Sequence, residues 1–344
     1  MGLQQWWFIL IGVLFTGYFV LEGFDFGVGM LMPMLGRRSD TRRRVMLNTI
    51  GPVWDGNEVW LIVGGGAMFA AFPDWYATLF SGFYIPLLVI LVALILRICA
   101  IEYRGKIDDD KWRRRCDWGI GIGSWVPAIL WGVAFANIVR GVPIDADKRV
   151  TSGFFELLNP YGILGGVTTA LVFALHGAVF LALKSDGEVR TDAVKTAAWL
   201  ALPAVPVAGG FVLWTQLAHG GKAWTWVFVG LAAIALLAVV ALTQAAREGW
   251  AFVFTTVAII SAMVVLFGSL FPNVMPSTTD PAYSLTIYNA SSSHYTLMVM
   301  TWAAGFMTPI VLLYQGWTYW VFRKRIHVDH IPPSVGLPLA SAKD

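Results

Sequence analysis

The chain has 344 residues, 57% of them hydrophobic and 13% charged, about half the charged share of a soluble domain; with a mean hydropathy of +0.67, this excludes a soluble enzyme and predicts an integral membrane protein. The net charge of +3 argues for no nucleic-acid partner, and its distribution matters more than its size. Cys99 and Cys116 lie in no metal-type spacing and form no disulfide framework, so both read as ordinary thiols.

A crossing needs about 20 mostly apolar residues. Nine segments qualify, at residues 6–32, 51–72, 76–101, 117–139, 159–183, 192–217, 224–243, 250–271 and 295–322, in a single polytopic domain over 1–344. The first run lacks the basic flank and cleavage site of a secretory signal, and Trp6 stands where a myristoylation signal needs Ser or Thr, so it is expected to be retained as a span. Within it, Glu22 and Asp25 are three residues apart and share a helical face. The second segment opens on Trp54-Asp-Gly-Asn-Glu-Val-Trp60, where Asp55 and Glu58 repeat that spacing. Glycines around these acids (Gly23, Gly27, Gly29, Gly51, Gly56) are expected to let the first two helices approach closely. Gly64-Gly-Gly66 reads as a packing point, since a nucleotide loop needs a strand and helix around it.

The third segment adds Arg97 and, nearer its end, Glu102. Asn137 in the fourth and Gln315 in the ninth read as interhelical hydrogen-bonders. His176 in the fifth is the one intramembrane histidine, too few for a chain holding several haems, and no metal or phosphate motif accompanies it. A polar gap of about residues 272–294, with Pro272, Pro276 and Pro281, separates the last two segments. Trp6, Trp7, Trp75, Tyr76, Trp118, Trp250, Tyr319 and Trp320 fall near segment ends, as an interfacial aromatic belt would place them.

Basic residues divide between the two sets of loops. One set, with the C-terminal tail, holds 19 of the 24 lysines and arginines, from Arg37 through Lys343; the other holds Arg140, Lys148, Arg149 and Lys222, and Arg97 lies within a span. The positive-inside rule therefore places the N-terminus outside and the C-terminus in the cytoplasm. On that topology Glu22, Asp25, Asp55, Glu58, Arg97 and Glu102 lie at similar depth toward the cytoplasm. An ion-pair network would account for Arg97, but the acids outnumber the buried base, and the surplus must be protonated or hydrated. This favours a proton or ion path. A proton-coupled secondary transporter is an alternative, although such transporters place acids at the midplane of two inverted halves. A purely structural assembly subunit is another.

The blocks Glu22-Gly-Phe-Asp-Phe-Gly-Val-Gly-Met-Leu31, Trp54-Asp-Gly-Asn-Glu-Val-Trp-Leu61, Phe80-Ser-Gly-Phe-Tyr84, Gly132-Val-Ala-Phe-Ala-Asn137, Leu158-Asn-Pro-Tyr-Gly162 and Phe271-Pro-Asn-Val-Met-Pro-Ser277 resemble, in order, subunit II of the cytochrome bd-type quinol oxidases. The resemblance implies nine helices, arranged as two four-helix bundles plus a peripheral one, paired in the plasma membrane with a subunit I that carries haems b558, b595 and d. It also implies that this chain binds no haem, holds a bound quinone (menaquinone among the candidates), contacts lipid and leaves room for small accessory subunits. Asp55, with Asp25 near it, is similar to part of the family's cytoplasmic proton route, and Trp60 to a residue beside its oxygen channel. Arg97 and Glu102 match a basic and an acidic position of the family's third span.

Overall fold

The computed structural model describes residues 2–333, 336 and 337, so Lys343 lies outside the described residues. Eight of its helices are long and apolar enough to cross a membrane: α1 (Leu3–Leu35), α5 (Tyr84–Tyr103), α6 (Asp110–Arg140), α7 (Pro160–Lys184), α8 (Gly187–Ala218), α9 (Trp226–Gln244), α10 (Glu248–Leu270) and α11 (His294–Val321). Three shorter helices complete the set: α2 (Asp40–Ile50), α3 (Trp54–Ala71) and α4 (Pro73–Gly82). The second predicted span falls on α3, which is not among the eight because Asp55, Asn57, Glu58 and its glycines dilute its apolar residues. Proline at the first position of α4 suits a helix start. A break at Phe83 then divides residues 76–101 between α4 and α5.

α1 is the hub. Its 33 residues extend about 50 Å, and it packs against α3, α6, α7 and α10. Of the glycines around the acids, Gly27 and Gly29 make their close approach to α7 and α6: a Cβ on Gly27 would lie 2.7 Å from Gly177 Cα, and one on Gly29 would strike Ser124, while the approach to α3 is at Gly17, where a Cβ would strike the Trp60 ring. A Cβ on Gly51 would meet only the preceding turn, at Leu47 O and Asn48 Cα, one on Gly56 only the Gln315 side chain at 3.9 Å, and of Gly64, Gly65 and Gly66 only Gly64 packs, 3.7 Å from Leu14 and Phe15. Small residues at one crossing say that something comes close, not which helix it is. α7, α8, α9 and α10 contact one another in a closed cycle. α11 lies apart, with Leu297 its one buried residue.

Ion pairs gather the arginine-rich loops at one end. Arg42 binds Glu188 at 2.6 Å and also Asp192, Arg104 reaches Asp117 at 2.6 Å and Asp40 at 2.7 Å, and Arg190 holds Glu248 at 2.6 Å. The chain beyond α11 lies across this end. Ile326 N donates to Lys184 O at 2.9 Å, Arg44 donates to Pro332 O at 2.6 Å, and Leu337 exchanges backbone hydrogen bonds of 2.8 Å with Lys106 and Asp108.

At the opposite end the predicted polar gap is folded. β1 (Asn273–Met275) pairs antiparallel with β2 (Leu285–Thr286), and Val274, Met275, Leu285 and Ile287 are buried beneath the helix ends. Val142 N donates to Pro276 O at 3.1 Å and Ser292 N to Ala71 O at 2.8 Å. Asn137 joins this cap to α6: its Nδ2 donates to Leu157 O at 2.7 Å and Val133 O at 2.8 Å, and its Oδ1 accepts from Asn159 at 2.7 Å. Asn137→Leu removes the donor at 2.7 Å from Leu157 O and the acceptor of Asn159. It is expected to cost about 1–3 kcal/mol, read as a lower unfolding midpoint of the purified protein by tryptophan fluorescence; an unchanged midpoint would contradict it.

The aromatic belt is partial. Trp6, Trp118, Trp250 and Trp320 are exposed, but Trp7 and Trp75 are buried, and Trp7 Nε1 donates to Thr301 Oγ1 at 3.0 Å. Tyr319 also turns inward, because its hydroxyl has a buried partner.

Candidate functional site

That partner belongs to a polar cluster where α1, α3, α5 and α11 meet. Glu22 and Asp25 on α1, Asn57 on α3 and Arg97 on α5 are all 0% exposed. Arg97 Nη1 donates to Glu22 Oε1 at 2.6 Å and to Glu58 Oε1 at 3.0 Å. Its guanidinium carbon stands 5.0 Å from the centre of the Phe26 ring, a favourable seat for a desolvated cation. Asp25 takes a different donor, Asn57 Nδ2, at 2.6 Å. Asn57 Oδ1 in turn accepts from Tyr319 Oη at 2.7 Å.

Three carboxyl groups thus surround one guanidinium. Glu22 Oε2, Asp25 Oδ1, Arg97 Nε and Arg97 Nη2 are buried and find no hydrogen-bond partner among the described residues. Buried polar atoms are nearly always satisfied, and a charge in the hydrocarbon region needs a partner, water or a function. Water at these atoms, or a proton at the two carboxyl oxygens, would satisfy them.

The structure brings Glu22, Asp25, Glu58 and Arg97 together, whereas Asp55 and Glu102 stand exposed on α3 and α5. Residues three apart on a helix differ by about 60° in direction, and neighbours by about 100°. With Asn57 and Glu58 turned toward α1, Asp55 falls past the edge of the contact. Asn57 and Tyr319 are the members that sequence reasoning missed. Asn57 had a signal, being a carboxamide between two acids at the head of an apolar run; Tyr319, an aromatic near a helix end, had none.

Trp60 is anchored by the same group, its Nε1 donating to Gln315 Oε1 at 2.8 Å. Its ring walls two apolar cavities. One, of about 890 Å³, opens between α1 and α10 beside Phe8, Met263 and Phe267. The other, of about 440 Å³, lies between α1, α3 and α11 beside Leu10, Val63 and Met307.

His176 lies elsewhere, on α7. Its Nδ1 is 2.6 Å from Thr255 Oγ1 and its Nε2 3.1 Å from Val20 O, so both ring nitrogens are engaged. Haem ligation would need one of them released. No group of three or more histidine, cysteine or acidic residues among the described residues is placed to hold a metal ion.

Residues 3–322 match the model of the family described as cytochrome bd terminal oxidase subunit II. The chain is 42% identical over 331 residues to cytochrome bd ubiquinol oxidase subunit 2 of Bacillus subtilis (strain 168), covering 94% of this chain and 97% of that protein. It is 40% identical over 362 residues to cytochrome bd-I ubiquinol oxidase subunit 2 of Escherichia coli (strain K12), covering 94% and 95%. The fold resembles a chain of the bd oxidase of Geobacillus thermodenitrificans with a TM-score of 0.76 at 18% identity, covering 94% of this chain and all of that one. Eight long apolar helices in such a chain make it a multi-pass protein of the bacterial inner membrane. A family match that runs from the first helix to the last, relatives that align along nearly their whole length and a common fold agree: the chain belongs to the family of subunit II of the cytochrome bd terminal oxidases.

Proposed function

We propose that this chain is the haem-free partner of a haem-bearing subunit I in a quinol:oxygen oxidoreductase, and that it supports assembly, binds a quinone and conducts protons from the cytoplasm. The haems b558, b595 and d belong to subunit I in this reading and supply the oxygen chemistry there; His176, with both nitrogens engaged, does not fit an axial role in this chain. α3, about 27 Å long at 1.5 Å per residue, counts as the ninth span, since the hydrocarbon core is about 30 Å thick. The helices then divide into α1, α3, α5 and α6 as one bundle, α7 to α10 as a second, and α11 at the periphery. The N-terminus lies outside and the arginine-rich end in the cytoplasm.

The observation that carries the proton route is the surplus of buried carboxyls over bases, with unpartnered oxygens on Glu22 and Asp25. Asp55, on the face of α3 that subunit I would cover, stands at the entrance. Glu58, Glu22 and Asp25 lead inward, and Arg97 holds the first two in place. Glu102 serves the same entrance from α5. The apolar cavities that Trp60 walls suit dioxygen, and the larger also suits the tail of a quinone.

Arg97's two ion pairs favour a second reading, in which the cluster only fixes helix registry. Asp55→Asn separates the two, because asparagine keeps the shape of Asp55 and removes only its charge, and Asp55 is exposed within this chain. Quinol-driven oxygen uptake by the purified complex is expected to fall roughly a hundredfold, the low end of what a proton-transfer group contributes, with the haem absorption spectrum unchanged. Full turnover at full haem content would remove Asp55 from the route. Loss of haem would support the structural reading.

A further inference from the structure

We infer that Tyr319 and Gln315 of α11 are positioning residues for Asp25, acting through Asn57. The inference rests on the proton-route reading of the cluster. Its starting point is the direction of each hydrogen bond. An indole N–H only donates, so the Trp60 contact at 2.8 Å fixes Gln315 with its oxygen toward Trp60. Gln315 Nε2 is thereby turned toward Gly56 O and Asn57 Oδ1, each 3.4 Å away. Tyr319 Oη donates to the same Asn57 oxygen at 2.7 Å. With its oxygen occupied by donors from α11, Asn57 presents its NH₂ to Asp25 Oδ2 at 2.6 Å and to Leu21 O at 3.4 Å. With Asp25 ionised, the reverse orientation would set the amide oxygen against a carboxylate oxygen and leave both without a hydrogen.

α11 has little else to do with this region. Gln315 and Tyr319 are four residues apart, on one helical face, and the helix buries only Leu297, some five turns away. Packing does not demand polar side chains at these two positions, whereas a fixed amide on α3 does. Asp25 is faced by Glu22 of its own helix, Glu58 of α3, Arg97 of α5 and Tyr319 of α11. His176 of α7 is turned away toward Thr255.

The test is Tyr319→Phe in the complete purified complex, with turnover measured across pH and haem content read on the same sample. Full haem content is expected, with turnover several-fold lower and the pH profile displaced by about half a unit to one unit, the size of one buried hydrogen bond. Asn57→Leu is expected to produce the same displacement, and Tyr319→Phe to add nothing to it, because both act through one amide. A normal rate and profile would overturn the inference, as would a lower rate with an unmoved profile. If Tyr319→Phe loses haem, Gln315→Leu is measured instead, and loss of haem there too would assign these contacts to assembly and overturn the inference. A displaced profile in Tyr319→Phe beside an unaffected Asp55→Asn would leave the positioning role standing while the proposed entrance fails.

Discussion

Arg97→Met is expected to deplete the membrane of assembled complex. Arg97 and Glu22 are both fully enclosed and joined at 2.6 Å, and Glu58 completes the contact from α3. Methionine fills much of the arginine's volume but supplies no charge, which leaves a buried carboxyl beside two others. Breaking a buried pair by removing one partner costs about 3–5 kcal/mol, a large part of the 5–15 kcal/mol that holds a typical domain together. The measurement is the amount of this chain, and of haem absorbance, retained in isolated membranes. Removing the stranded acid as well, in Arg97→Met with Glu22→Leu, is expected to restore part of the yield, since replacing both partners by apolar groups is far less costly than stranding one. Wild-type yield from the single variant would mean that Glu22 has no need of the arginine.

Gly177→Leu is expected to be comparably severe for a different reason. A Cβ at Gly177 would sit 2.5 Å from Gly27 Cα and 2.6 Å from Val28 N, and main-chain atoms inside a helix cannot give way as a side chain can. α1 and α7 would have to separate along their whole crossing. Overpacking a well-filled contact costs about 1–3 kcal/mol for a few extra methylenes, and leucine at a backbone-to-backbone contact lies at or above the top of that range. Gly177→Ala is expected to assemble in part and still turn over slowly, because Gly27 is two residues beyond Asp25 and a shift of α1 there moves Asp25 relative to Arg97. Thermal unfolding of the two variants, with oxygen uptake by the alanine form, checks both claims. A normal midpoint for Gly177→Leu would show that the two helices have more clearance than their backbones indicate.

Apolar length and the asymmetry of arginine were enough to anticipate the long helices and the end at which their charged loops gather. They also marked residues 51–72, where α3 lies, although its opening turns carry Asp55, Asn57 and Glu58; what they did not show was the break at Phe83 that divides residues 76–101 between α4 and α5. Spacing alone placed Glu22 and Asp25 on one face. It did not reveal that Arg97 would take Glu22 and Glu58 while Asn57 took Asp25, because a period of 3.6 residues fixes direction around one axis and says nothing about the rotation of its neighbour. The glycines of α1 illustrate the same gap: their chemistry announced a close approach, and the approaching helix proved to be α7. Tyr319 was the least legible residue, because a tyrosine near a helix end suits a lipid headgroup as well as a buried amide.

The segment laid across the arginine-rich end has a consequence for how the protein is made. Lys184, Lys106 and Asp108 take their backbone partners from residues 326 and 337, which leave the ribosome after α1 to α11 have been synthesised. Until then the turn between α7 and α8 and the loop between α5 and α6 keep those groups hydrated, and the two loops stay unjoined by that segment. Closure of this face is therefore a late event in biogenesis, tied to the arrival of α11, the helix that also delivers Tyr319 to Asn57. The chain from α11 onward thus carries both the Tyr319–Asn57 contact and the hydrogen bonds that join these two loops.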